Sequence, residues 1–372
     1  MLYNKLYKRF SSADPVMLLC AFFLCGVSLY SLYMLSINNG AHSLTYGFSL
    51  SSALMQAVSV LVGVAVFLTI LLMGARFIKR LSPYIFAISL ALCALTLTPL
   101  GITVDDDRAW LRVSGISVQP SELLKVGFIM CAAFVLSSGF GRVKKYLLFA
   151  LCALPSLAVI FLQRDMGTLL IFSLIILGML FCAGTSKRIW AFLIILSPAI
   201  GYIGWRFVLN NAQRLRIMTA ANPSLDPYGV GYQQLSAKNA IASGGFTGRL
   251  FEDRGSFLFV SSAHNDFILS FIAQLFGTLG IFLVCLSLSL LIIRAAPRRN
   301  DSGYIYYLKA GAFISLASQA VINSAMNLSL FPVIGITLPF VSAGGTAMIS
   351  SFAMLGLISL YDEENSNPKG VI

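Results

Sequence analysis

The sequence predicts an all-α integral membrane protein of about ten transmembrane helices with both termini cytoplasmic, and three observations predict it. First, of 372 residues 58% are hydrophobic and 11% charged, where soluble domains carry about 25% charged residues. In water such a chain would expose large apolar patches and aggregate. Second, the apolar stretches run about 17–25 residues without period-two alternation, which is the signature of spanning helices rather than barrel strands. In hydrocarbon every backbone N–H and C=O must be satisfied internally, and helices do so within one segment. Third, the basic residues gather in alternate short connections.

The spans fall at 15–37, 50–73, 83–100, 120–138, 146–162, 166–183, 189–209, 264–293, 304–330 and 334–361. The first follows a cytoplasmic segment, 1–14, carrying Lys5, Lys8 and Arg9. It is longer than the apolar core of a cleaved signal, so it reads as a span. Arg76, Lys79 and Arg80 precede the third span, and Arg142, Lys144 and Lys145 precede the fifth. Lys187 and Arg188 precede the seventh, Arg294, Arg298, Arg299 and Lys309 surround the start of the ninth, and Lys369 lies in the cytoplasmic segment 362–372. The short connections on the other side hold only Arg108, Arg112 and Arg164. That asymmetry puts the amino terminus inside. The net charge of +12 is therefore a topology signal and not a nucleic-acid one. The seven cysteines lie in apolar stretches without a CxxC pair, as small buried hydrophobes do, and form neither a disulfide framework nor a zinc site.

The chain reads as a single membrane domain, 1–372, with one long extracytoplasmic loop, 210–263, between the seventh and eighth spans. Loops of that length are usually functional or disordered. Its apolar and aromatic residues, Ile217, Tyr228, Tyr232, Ile241, Phe246, Leu250 and Phe257, argue for short re-entrant or interfacial helices.

Charged groups in apolar stretches are costly and mark candidate sites. Glu122 and Lys125, three apart at the start of the fourth span, share a helix face. They are either a structural ion pair or part of a headgroup site. Pro120 suits a first turn, with Ser117 or Ser121 as its cap. Arg164 and Asp165 interrupt the apolar run between spans five and six, as a tight outer turn or as a carboxylate facing a cavity. Asp266 follows His264 and Asn265 where the long loop re-enters the membrane. His264 and Asp266 would not share a helix face, so a dyad between them is weak. Asp266 is either a helix cap or a general base tuned by partial desolvation. Arg206, Arg214, Arg216, Lys238, Arg249 and Arg254 crowd the same loop, as a solvated face or as an anion site suited to phosphate oxygens. Finally, Pro332, Gly335, Pro339, Gly344 and Gly345 break the last two spans near the outer face. Such backbone is tolerated at membrane depth only when buried in protein or lining a cavity.

Taken together these segments resemble the SEDS family (shape, elongation, division and sporulation), the FtsW/RodA-like peptidoglycan polymerases. The resemblance is carried by Trp110 with Gly115-Ile116-Ser117-Val118-Gln119-Pro120-Ser121-Glu122 and Lys125; by Gln163-Arg164-Asp165-Met166-Gly167-Thr168; and by Arg216 ahead of Asn222-Pro223. It continues through Gly231-Tyr232-Gln233, Ser243-Gly244-Gly245-Phe246-Thr247-Gly248, Ala263-His264-Asn265-Asp266-Phe267 and the Pro332 to Gly345 block. The chain departs from the family pattern at Arg164, where proline is common, and at Asn265, Ala273-Gln274 and Ala343.

The resemblance implies a glycosyltransferase that polymerises lipid II, with Asp266 as catalytic base. It implies a substrate and pyrophosphate site drawn from Arg216, Lys238, Gln119, Ser121, Glu122, Lys125, Asp165, Gln233, His264, Gly344 and Gly345. It further implies a divalent cation, a class B penicillin-binding protein as transpeptidase partner, other divisome proteins, and the division-type branch. A lipid II flippase and a weakly catalytic scaffold for the transpeptidase are the competing classes.

Overall fold

The structure is a computed structural model describing residues 2–38, 49–104, 107–113, 116–250, 257–298, 300–301 and 303–362. An amphipathic helix α1 (Leu2–Ser11) precedes α2 (Pro15–Asn38), α3 (Leu50–Met73) and α4 (Ala75–Leu95). Three short antiparallel strands follow, β1 (Gly101–Val104), β2 (Asp107–Val113) and β3 (Ile116–Val118), in the order β1-β2-β3. Then come α5 (Pro120–Leu136), α6 (Arg142–Gln163), α7 (Met166–Cys182) and α8 (Lys187–Ile203), which runs into a π-helical turn, Gly204–Val208. The long loop contributes α9 (Asn211–Ala221) and α10 (Val230–Ser243), and the chain finishes with α11 (Ile268–Ala295), α12 (Gly303–Asn327) and α13 (Gly345–Ile358).

Among the described residues seven helices are long and apolar enough to cross a membrane: α2, α3, α4, α6, α8 with its π turn, α11 and α12. The shorter α5, α7 and α13 occupy the other predicted positions, giving the expected all-α bundle of about ten spans. The basic helix ends meet on one face. Arg9 donates to the Leu72 carbonyl beside the α3–α4 turn, Ser12 to the Ser359 carbonyl (2.7 Å), and Arg294 pairs with Asp14 (3.1 Å).

Three boundaries differ from the sequence reading. The third span starts at Ala75, so Arg76, Lys79 and Arg80 sit in the first turns of α4 and not in a loop. The tenth span is helical only from Gly345. Its predicted start at 334 falls within residues 332–338, which form neither helix nor strand. Pro332 and Pro339 lack an N–H, and Gly335 and Phe340 take φ of 70° and 62°, so no helical ladder can form there. Ile336, Leu338, Phe340 and Val341 are buried, as broken backbone at membrane depth requires. The 101–118 connection, read as a plain loop, is the small sheet.

At the centre stands α5, whose residues are nearly all buried, with α4, α6, α12 and α13 packed round it. In contrast, no side chain of the α8 span is buried among the described residues. The long loop is stitched into α11. At Gly277 (φ 67°) the α11 ladder opens. The Gln274 carbonyl accepts from Arg249 N–H (2.8 Å), and Thr278 N–H donates to the Gly245 carbonyl (2.9 Å). The two groups an uninterrupted helix would pair with each other are thus satisfied by the loop. The loop 210–263 contains the short helices α9 and α10; residues 251–256, including Arg254, lie outside the described residues, as do residues 363–372 with Lys369.

Candidate active site at the outer end of the bundle

Two groups of predicted residues assemble at the end of the bundle opposite the basic helix ends. The first is built on the start of α5. Pro120 begins the helix, Gln119 is its N-cap residue, and no side chain caps it. The predicted capping by Ser117 or Ser121 is therefore corrected: Ser121 is inside the first turn, fully buried, its hydroxyl without a hydrogen-bond partner. Lys125 Nζ lies 2.8 Å from Glu122 Oε1, and both side chains are buried, so the spacing argument for a pair holds. Ser350 of α13 donates a short hydrogen bond to the other Glu122 oxygen.

Asp165 belongs to the same group. It follows Arg164, whose φ of 66° ends α6 in a left-handed conformation closed to proline. The Asp165 side chain caps α7 by accepting from Thr168 N–H (2.8 Å), and it also accepts from the Thr168 hydroxyl (2.7 Å) and Gln119 Nε2 (3.1 Å). Burial pushes its carboxyl above the usual carboxylate range; the Thr168 and Gln119 hydrogen bonds pull it down and the Glu122 charge raises it further. Gln119 N–H in turn donates to the Thr346 hydroxyl (3.2 Å). A small cleft of about 20 Å³ opens among Gln119, Glu122, Lys125, Thr168, Gln319 and Thr337.

The second group is the turn before α11. The cap reading of Asp266 does not hold: the N-cap residue is Phe267, without a side-chain bond, and the Ser270 N–H is capped by Asn327 Oδ1 (3.0 Å) from α12. The turn is held against the broken segment. Ala343 N–H donates to the His264 carbonyl (2.8 Å), and the Ser342 hydroxyl to the Asn265 carbonyl (2.7 Å). Gln56 of α3 then clamps the segment, donating to the Ser342 carbonyl (3.0 Å) and accepting from Gly344 N–H (3.2 Å). Asp266 and His264 are both half-buried. The two groups meet through the broken segment: a Cβ at Gly167 would lie 2.2 Å from the Ile334 carbonyl, so the α7 start packs directly on it.

The remaining predicted residues are farther out. Gln233 of α10 reaches the Ser261 hydroxyl at 3.5 Å, which sets α10 beside the Asp266 turn. Arg216 on α9 is half-buried and Lys238 on α10 exposed; neither makes a hydrogen bond or ion pair to the other site residues among those described. Gly345 is exposed at the head of α13. Among the described residues no three His, Cys, Asp or Glu side chains converge as a metal cage. The residues missed from sequence are Gln56, Asn323, Asn327, Ser342 and Ser350. Each is a polar side chain buried inside an apolar span or broken segment, and that cost was the available signal.

The comparisons agree with this architecture. The chain matches the FtsW/RodA/SpoVE "cell cycle protein" family over residues 15–367. It is 31% identical to the probable peptidoglycan glycosyltransferase FtsW of Trichlorobacter lovleyi over 82% of this chain and 81% of that protein. It is 30% identical to the peptidoglycan glycosyltransferase MrdB of Escherichia coli K12, over 74% and 76%. In fold it is similar to a chain of a peptidoglycan synthase complex (TM-score 0.77, 24% identity, 96% of this chain and 99% of that one). It also resembles the rod shape determining protein RodA of Thermus thermophilus (TM-score 0.66, 21% identity, 96% and 98%). The helical bundle with its broken last span and stitched outer loop therefore belongs, as a multi-pass bacterial inner-membrane protein, to the FtsW/RodA/SpoVE family.

Proposed function

We propose that this chain, a membrane glycosyltransferase of that family, polymerises lipid II into glycan strands for the septal wall and releases undecaprenyl pyrophosphate. The observation that carries the reading is the state of Asp266. It stands at the mouth of α11, on backbone held by α12 through Asn327 and by the broken segment through Ser342. A half-buried carboxylate at that position suits a general base. It takes the proton from the 4-hydroxyl of the acceptor sugar. The oxygen attacks the anomeric carbon of the donor, and the bond from that carbon to the pyrophosphate oxygen breaks.

Positive groups facing the departing diphosphate stabilise the charge that develops there, a role for Arg216 and Lys238. Gln119 and the Glu122–Lys125 pair line a small polar cleft, whose hydrogen-bonding groups are assigned to contacts with the edge of the headgroup. A divalent cation bound with the diphosphate would add to the neutralisation of its charge. A class B penicillin-binding protein is the proposed partner, supplying cross-links, within the set of divisome proteins.

The test uses the purified full-length chain with that transpeptidase and lipid II in detergent, where no leaflet exists to cross. Glycan polymer in that mixture is the expected result. A folded, partner-bound sample that makes none would favour the flippase or scaffold reading.

A further inference from the structure

The Asp266 carbonyl oxygen accepts two side-chain hydrogen bonds, from Asn323 Nδ2 at 3.0 Å and Asn327 Nδ2 at 2.8 Å. Both asparagines are fully buried in α12, one turn apart on one face. Their other bonds are equally committed. Asn323 Nδ2 also donates to the Ile336 carbonyl (2.7 Å), and Asn327 Nδ2 to the Asn323 carbonyl (3.0 Å). Asn327 Oδ1 accepts from both the backbone and the hydroxyl of Ser270, at 3.0 and 2.7 Å.

Starting α11 needs only the Asn327 bond to Ser270. The two bonds to residue 266 act elsewhere. They fix the peptide plane after Asp266, while Ser342 fixes the plane before it through the Asn265 carbonyl. With both flanking planes anchored, the direction in which the Asp266 side chain leaves the backbone is set from outside the turn. Asn323 also ties that turn to Ile336, which lines the Gln119–Glu122–Lys125 cleft, so the carboxylate and the cleft share one frame.

The geometry points to Asn323 and Asn327 as positioning residues of the transferase reaction, aiming the Asp266 carboxylate at the acceptor hydroxyl. This rests on the proposed role of Asp266 as base. Preorganised geometry acts on the chemical step, because a shift of about 1 Å at a reacting group costs on the order of 100-fold in rate. Substrate binding, made elsewhere in the cleft, is left nearly intact.

The experiment measures lipid II polymerisation by the full-length chain with its transpeptidase, against substrate concentration and pH. Asn323→Ala and Asn327→Ala are each expected to lower kcat roughly 10- to 100-fold with KM within about 2-fold, and the double variant to lose little more than the worse single. The acidic limb of the kcat–pH profile moves in these variants, which a loss of folded protein would not produce. Asn327→Ser retains a hydroxyl donor and is expected to fall between wild type and Asn327→Ala; if the alanine variants fail to accumulate, its kcat decides. Wild-type kcat in a folded asparagine variant, or a change confined to KM, overturns the positioning role while leaving Asp266 untouched. Undiminished polymerisation by Asp266→Asn overturns both readings together.

Discussion

At the residue scale the buried Glu122–Lys125 pair controls most. Two charges taken out of water are tolerated because each holds the other at 2.8 Å and Ser350 occupies the second carboxylate oxygen. Removing one partner strands the other. Lys125→Met is therefore expected to destabilise the protein by about 3–5 kcal/mol, and Glu122→Gln with Lys125→Met together to recover most of it. Thermal unfolding in detergent checks this; a double-variant loss equal to the sum of the two single losses would mean the pair contributes as two independent groups. The spacing of 122 and 125 made the pair readable from sequence. The Ser350 contact was not, because it joins residues 228 positions apart and nothing local encodes it.

At the element scale the account depends on the broken segment lying flat against its neighbours. Gly167 provides that approach. Alanine there would drive a Cβ to 2.2 Å from the Ile334 carbonyl, and backbone cannot rotate away as a side chain can. Gly167→Ala is expected to cost about 1–3 kcal/mol and to lower the polymerisation rate. Gly26→Ala in α2, where nothing lies within 4 Å, is expected to be neutral or slightly stabilising. Melting curves of the two variants separate them, and equal behaviour would contradict the close packing. Elements differed in how legible they were. Long apolar runs announced most spans to within a few residues, since the bilayer sets their length. The β-meander was missed although its signal was present: Ile102 and Val104, Ala109, Leu111 and Val113, then Ile116 and Val118 alternate, with Asp105-Asp106 and Ser114-Gly115 between them. The start of α13 was misplaced because apolar composition alone does not separate a buried irregular segment from a helix.

At the scale of the whole molecule, sequence and structure converge on one polarity. Basic helix ends meet on the inner face, while Gln119, Asp165, Asp266 and the broken segment meet at the other. Charge asymmetry sufficed for this, because positively charged loops resist translocation. What the chain order could not convey was the convergence itself. Asp266 depends on Asn323 and Asn327 after it, and the broken segment on Gln56, far earlier in the chain. The central claim is that this convergence presents one carboxylate as a base to a sugar hydroxyl. Its most direct test compares wild type and Asp266→Asn, both folded and bound to the transpeptidase, for glycan strands formed from lipid II in detergent. The account predicts polymer from the first and a loss of at least about 100-fold in the second, as for removal of a positioned general base. Strands made by Asp266→Asn at the wild-type rate would contradict it.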